Sequence, residues 1–131
     1  MNRNSVLFGA SLIVIGIVLG AFGAHALKAV LNPEQLVSFE TGVRYQMYHG
    51  FTLLILGLNA DKLRFNLKVV TVLMLFGILF FSGSIYLLAL QSVMDINLRF
   101  LGPVTPIGGL LLITAWSVFI GKLIIKKSTD Q

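Results

Sequence analysis

The run VVTVLMLFGILFFSGSIYLLAL, Val69 to Leu90, covers 22 residues without one charged side chain. A hydrocarbon core of ~30 Å is crossed by about 20 helical residues, so this stretch reads as a membrane span. Three further stretches extend the pattern. Val6–Ala24 and Val104–Gly121 are also uncharged, whereas Tyr45–Ala60 is short and reaches span length only if its helix starts upstream. That start is signalled by Asn32-Pro33-Glu34-Gln35, which offers an N-cap, a first-turn proline, an acid near the positive helix end and an Asn-x-x-Gln box. A helix from Pro33 to Asn59 would be about 40 Å long, with its first turns at or above the membrane surface. Gly42 offers it a place to bend. The chain thus reads as one all-α integral membrane domain, a four-transmembrane-helix bundle with helices at about 5–27, 33–60, 68–91 and 103–125.

Composition agrees. Of the 131 residues, 56% are hydrophobic and 11% charged, against about a quarter charged in an average soluble domain. The absence of cysteine removes disulfides, thiolate nucleophiles and cysteine metal sites from consideration. The net charge of +5 does not point to nucleic acid, because the basic residues lie between apolar blocks; anionic lipid at the cytoplasmic face is the expected partner. Seven of the ten basic residues (Arg3, Lys62, Arg64, Lys68, Lys122, Lys126, Lys127) fall on the side of the termini, and three (Lys28, Arg44, Arg99) on the other. Cytoplasmic loops carry the excess of Lys and Arg, so the expected topology is N-in/C-in. Asn2-Arg3-Asn4 before the first run and Ala24-His25-Ala26 after it resemble a signal peptide. The run of 19 residues exceeds an h-region of about 7–15, so the helix is expected to be retained.

Apolar helices in lipid are held together by close van der Waals approach and interhelical hydrogen bonds. Gly9, Gly16, Gly20 and Gly23 fall within about 60° of one another on a helical wheel and read as a packing face. Whether that face meets the same chain or another copy stays open. Near the start of the fourth helix, Pro103 suits a first turn and Pro106 lies deeper, while Gly108 and Gly109 would admit a neighbouring backbone. Trp116 is placed to anchor the cytoplasmic interface.

The ionisable groups gather in FETGVRYQMYHGF, Phe39 to Phe51. Glu40, Arg44, Tyr48, Thr52, Tyr45 and His49 occupy about half of a helical wheel, and Glu40 stands four residues before Arg44, the favourable order for an ion pair. His25 ending helix one, Ser82 and Tyr86 in helix three, Gln91 near its outer end and Thr105 opening helix four lie at the same outer depth. Ionisable groups inside a span are candidate functional residues, so an outward-facing polar pocket is one reading. The other makes Arg44 and the tyrosines interfacial anchors, with Glu40 neutralising the arginine. Tyr45, Tyr48 and His49 are expected to turn towards helices one and three. No metal site and no catalytic motif is present, since HExxH, a serine–histidine–acid spacing and a second carboxylate within the spans are all missing. No cofactor is expected; the alternative is haem, with His25 and His49 as axial ligands.

Four blocks, GAFGAHALK (Gly20–Lys28), ETGVRYQMYH (Glu40–His49), FSGSIYLLAL (Phe81–Leu90) and GPVTPIGG (Gly102–Gly109), together resemble the domain of unknown function 423 family. The family is also called uncharacterised protein family 0382, with the eukaryotic transmembrane protein 256 as a relative. The resemblance implies a multi-pass protein of the bacterial inner membrane with four helices, and it brings no established activity. A structural or accessory membrane role is expected, without enzymatic activity, as a homo-oligomer or within a larger membrane complex. The alternative is binding or transport of a small polar molecule or lipid in the outward-facing pocket.

Overall fold

The computed structural model describes residues 1–63 and 65–129, with side chains as far as residue 125. Arg64 and the side chains of Lys126 and Lys127, which enter the charge count, lie outside the described residues. Among the described residues there are helices and turns and no strand. The long helices are α1 (Arg3–Ala24), α2 (Pro33–Leu58), α3 (Lys68–Leu90) and α4 (Val104–Thr129). A single turn of helix, Ala60–Leu63, lies between α2 and α3, and 3-10 turns at Leu27–Ala29 and Arg99–Leu101 lie in the other connections.

Local chemistry sets the helix starts. Asn2 Oδ1 accepts from Ser5 N–H at 3.1 Å to cap α1. The capping box of α2 is complete: Asn32 Oδ1 accepts from Gln35 N–H at 2.8 Å, and Gln35 Oε1 accepts from Asn32 N–H at 3.1 Å. Pro106 falls in the first turn of α4, where its missing N–H is one of the donors a helix leaves unpaired in any case. It therefore frees no carbonyl inside the helix.

Among the described residues three stretches, Arg3–Ala29, Lys68–Leu90 and Arg99–Ile125, are long and apolar enough to cross a membrane. The helix α2 is not among them, because Arg44, Gln46 and His49 interrupt its apolar half. The bundle turns its apolar side chains outward: Leu79, Leu110 and Ile113 are 61%, 63% and 64% exposed.

Glycines set the interhelical distances. The helices α1 and α2 run antiparallel, from Asn2 N–H donating to Gly57 O at one end to Gly23 against the Phe39 ring at the other. A Cβ on Gly9 would stand 2.5 Å from Leu54 N, and one on Gly16 2.6 Å from Met47 Sδ. The glycine stripe of α1 thus meets α2 of the same chain. Gly20 is the loose member, with only Val43 Cγ1 at 3.6 Å, since the Val43 side chain stands where a backbone would otherwise approach. The helix α2 runs unbroken through Gly42, which receives the Tyr86 ring, whose Cε1 would lie 2.7 Å from an added Cβ. Between α3 and α4, Gly77 receives Leu112, and Gly108 lies directly against the backbone of Phe80 and Phe81. Gly109 only brushes the Phe81 ring at 3.8 Å.

The helices pack in the order α1–α2–α3–α4, with α2 and α3 in the middle. Leu53, Val70, Met74 and Ala115 form a fully buried cluster from three helices. Leu31, Phe39 and Ala89 form another near the opposite end. Lengthwise crevices remain between α1 and α3 and between α2 and α4.

Candidate functional site

The polar side chains inside the bundle lie mostly between helices. Gln46, buried on α2, donates from Nε2 to Leu12 O of α1 at 2.9 Å and accepts at Oε1 from Tyr86 OH of α3 at 2.8 Å. One amide thereby ties three helices. One turn nearer the start of α2, Ser82 Oγ of α3 donates to Gly42 O at 2.7 Å. The Ser84 hydroxyl donates to Phe81 O within α3, so the 2.6 Å contact with Thr105 Oγ1 of α4 uses the threonine proton. The hydroxyls of Ser5 of α1 and Thr71 of α3 are hydrogen-bonded at 2.8 Å, with either able to donate. Among the described residues no buried side-chain polar atom lacks a partner.

His49 faces α4 rather than α1 or α3. Its Nδ1 lies 2.8 Å from Tyr45 O, and a carbonyl can only accept, so Nδ1 carries the proton. The bare Nε2 then accepts from the Trp116 indole N–H at 3.2 Å. Both ring nitrogens are engaged by the protein, with the ring neutral. Tyr45 stacks on the imidazole at 6.5 Å between centroids and packs on Phe81 at 4.8 Å. Trp116, expected to anchor the interface, spends its indole N–H on His49. It lies 12 residues into α4, about 18 Å along it, where an indole N–H needs a partner that lipid cannot supply.

The residues singled out by the sequence do not converge. Glu40 and Arg44 are exposed, and among the described residues no ion pair joins them. An exposed pair of this kind gains only about 0.3–0.5 kcal/mol, which holding two long side chains in one geometry offsets. Tyr48 is 56% exposed and points away from helices one and three. Tyr45 reaches α3 through Phe81 yet remains partly exposed. His25 sits exposed at the end of α1, in an apolar depression with Ile17 and Phe22. It follows Gly23, which lies level with Phe39, and Phe39 is about 15 Å along α2 from His49. Tyr86 and His49 line opposite crevices, and Ser82 is fully buried. Among the described residues no group of three His, Cys, Asp or Glu is placed to hold a metal ion.

Gln46 is the residue that sequence reasoning passed over. It stands inside the quoted stretch, but attention to ionisable groups hid it. The signal was available, because a side-chain amide at span depth must find partners for two donors and an acceptor.

Residues 19–109 match the family of proteins of unknown function DUF423. The chain belongs to this family. Relatives named UPF0382 membrane protein include one from Staphylococcus epidermidis, 42% identical over 115 residues, which are 88% of this chain and 90% of the relative. Another, YwdK of Bacillus subtilis, is 39% identical over 117 residues, covering 88% of this chain and 91% of the relative. A third, from Staphylococcus saprophyticus, is 40% identical over 115 residues, with 88% and 92% covered. No solved structure matches. The DUF423 match takes in Gln46, His49, Ser82, Ser84, Tyr86 and Thr105, and leaves Ser5 and Trp116 outside. This DUF423 chain is a helical membrane protein, built from apolar spans and held by interhelical polar contacts.

Proposed function

We propose that the protein is a multi-pass protein of the bacterial plasma membrane with four spans and both termini cytoplasmic. In this reading its role is structural or accessory, exercised through the helix surfaces and not through chemistry at the polar cluster. The supporting observation is that the buried polar side chains are engaged with other helices or with their own helix backbone, as Gln46, Ser82 and Thr105 illustrate.

Packing supports the fourth span. The helix α2 lies beside α1 from Gly57 to Phe39, about 27 Å, so a membrane crossed by α1 is crossed by α2 as well. Its first turn then emerges beyond the paired stretch with Glu34, and Glu40 stands at the edge of that stretch. The basic asymmetry supports the orientation. Because the chain has no cysteine, single cysteines replacing Asn32, Asn66, Asn97 and Ser128 can be labelled without background. A membrane-impermeant thiol reagent on intact cells should reach those at 32 and 97 only; labelling at 66 or 128 would reverse the orientation.

The role itself is tested by native mass spectrometry after gentle extraction, which should show self-association or a copurifying membrane protein and no small polar ligand. This reading includes no resident cofactor. A Soret band lost in both His25→Ala and His49→Ala would replace it with the haem alternative.

A further inference from the structure

We infer that the groove between α1 and α3 is a binding site for one anionic glycerophospholipid, with the phosphate at the end bearing the N-terminus and an acyl chain along the helices. Two cavities carry the inference. The first, of about 390 Å³, is lined by Asn2, Asn4, Asn66 and Lys68 and floored by the Ser5–Thr71 pair. The second, of about 530 Å³, is apolar, with Leu12, Ile15 and Leu19 of α1 facing Leu79 and Tyr86 of α3. Phe8 and Leu75 line both, so the two cavities adjoin end to end between α1 and α3.

The head end is built of donors. Asn2 Oδ1 is occupied by Ser5 N–H and Asn66 Oδ1 by Lys68 N–H. These bonds leave the NH2 group of each of the two asparagines available as a donor. The Lys68 ammonium adds a positive charge, and among the described residues no carboxylate lines the cavity. Asp61, the acidic side chain nearest in sequence to Asn66, is held by the Met1 ammonium. A lining with several N–H donors and one ammonium favours a phosphodiester over a cation. The tail end matches in length. From Asn2 to Leu19 is about 25 Å of helix, longer than the ~15 Å of hydrocarbon in one leaflet, so an extended chain fits within it. The Gln46–Tyr86 hydrogen bond lies at the deep end, with both groups already paired and offering a second headgroup nothing.

The inference rests on the membrane reading above but not on its orientation, and the test is independent of topology. Purified protein in detergent is titrated with phosphatidylglycerol or phosphatidylcholine of identical acyl chains and read by native mass spectrometry. We expect one phosphatidylglycerol retained per chain, preferred about fivefold, the factor one surface lysine contributes. Lys68→Gln should abolish the preference, and Lys28→Gln, an exposed lysine at the opposite end, should keep it. Leu79→Trp should lower retention of both lipids by filling the crevice. Equal binding of the two lipids, graded binding without a one-to-one species, or a preference that survives Lys68→Gln overturns the site. Competition by inorganic phosphate with Leu79→Trp silent would show an anion site without a lipid chain, and equally overturns it. None of these outcomes alters the labelling pattern or the partners that test the structural role.

Discussion

Gly108→Ala should be among the most damaging single-atom additions this bundle can receive. An added Cβ would stand 2.2 Å from Phe81 N and 2.7 Å from Phe80 C. Ordinary contact begins near 3.4 Å, so α4 must move away from α3 by about 1.2 Å. The obstacle is helix backbone, which cannot rotate aside as a side-chain tip can. A gap of about 1 Å forfeits up to half of the dispersion well of each contact across it. It also stretches the Ser84–Thr105 bond, now 2.6 Å, and lifts Leu112 from the notch at Gly77. Overpacking of this kind costs about 1–3 kcal/mol or more, and the backbone clash places Gly108→Ala at about 3 kcal/mol. For a chain of this size that is about 10 °C in midpoint. The control is adjacent: a Cβ on Gly109 meets only the Phe81 ring at 3.8 Å, and Gly109→Ala should stay within about 0.5 kcal/mol. Thermal unfolding in detergent, followed by circular dichroism, decides the matter. Equal midpoints for the two variants would refute the account of glycine-set helix spacing.

Gln46→Leu and Tyr86→Phe should each destabilise the bundle, and their double-mutant cycle should show a coupling of about 0.6 kcal/mol, the usual worth of an interhelical hydrogen bond in a membrane; additivity would place the pair outside the structural core. The single tryptophan gives a clean optical probe of the other polar contact. His49→Leu should change Trp116 emission by removing the acceptor of its N–H, while His25→Leu should leave the spectrum as it is; a response to both would put the histidines in one site after all.

How much was legible in the sequence differs by residue. The run Val69–Leu90 declares a span because bilayer thickness is matched by the length of one uninterrupted segment. The capping box at Asn32 and Gln35 is equally local, closing within three residues. The glycine stripe of α1 is visible as a face of one helix. Even local rules can mislead: Glu40 and Arg44 have the favourable spacing, yet their exposed side chains do not pair.

What the face meets is another matter. The contacts Gln46–Tyr86, His49–Trp116 and Gly108–Phe81 join residues on different helices, and each depends on how one helix is rotated and shifted against its neighbour. Sequence periodicity gives each helix its own faces but carries no term for the angle between two of them. The sequence by itself determined the membrane class, the long apolar runs and the cap that starts α2, because those are properties of contiguous residues. Only the tertiary structure decided that the polar residues bind helix to helix and that grooves open beside them, because three-dimensional adjacency arises from packing across the whole bundle.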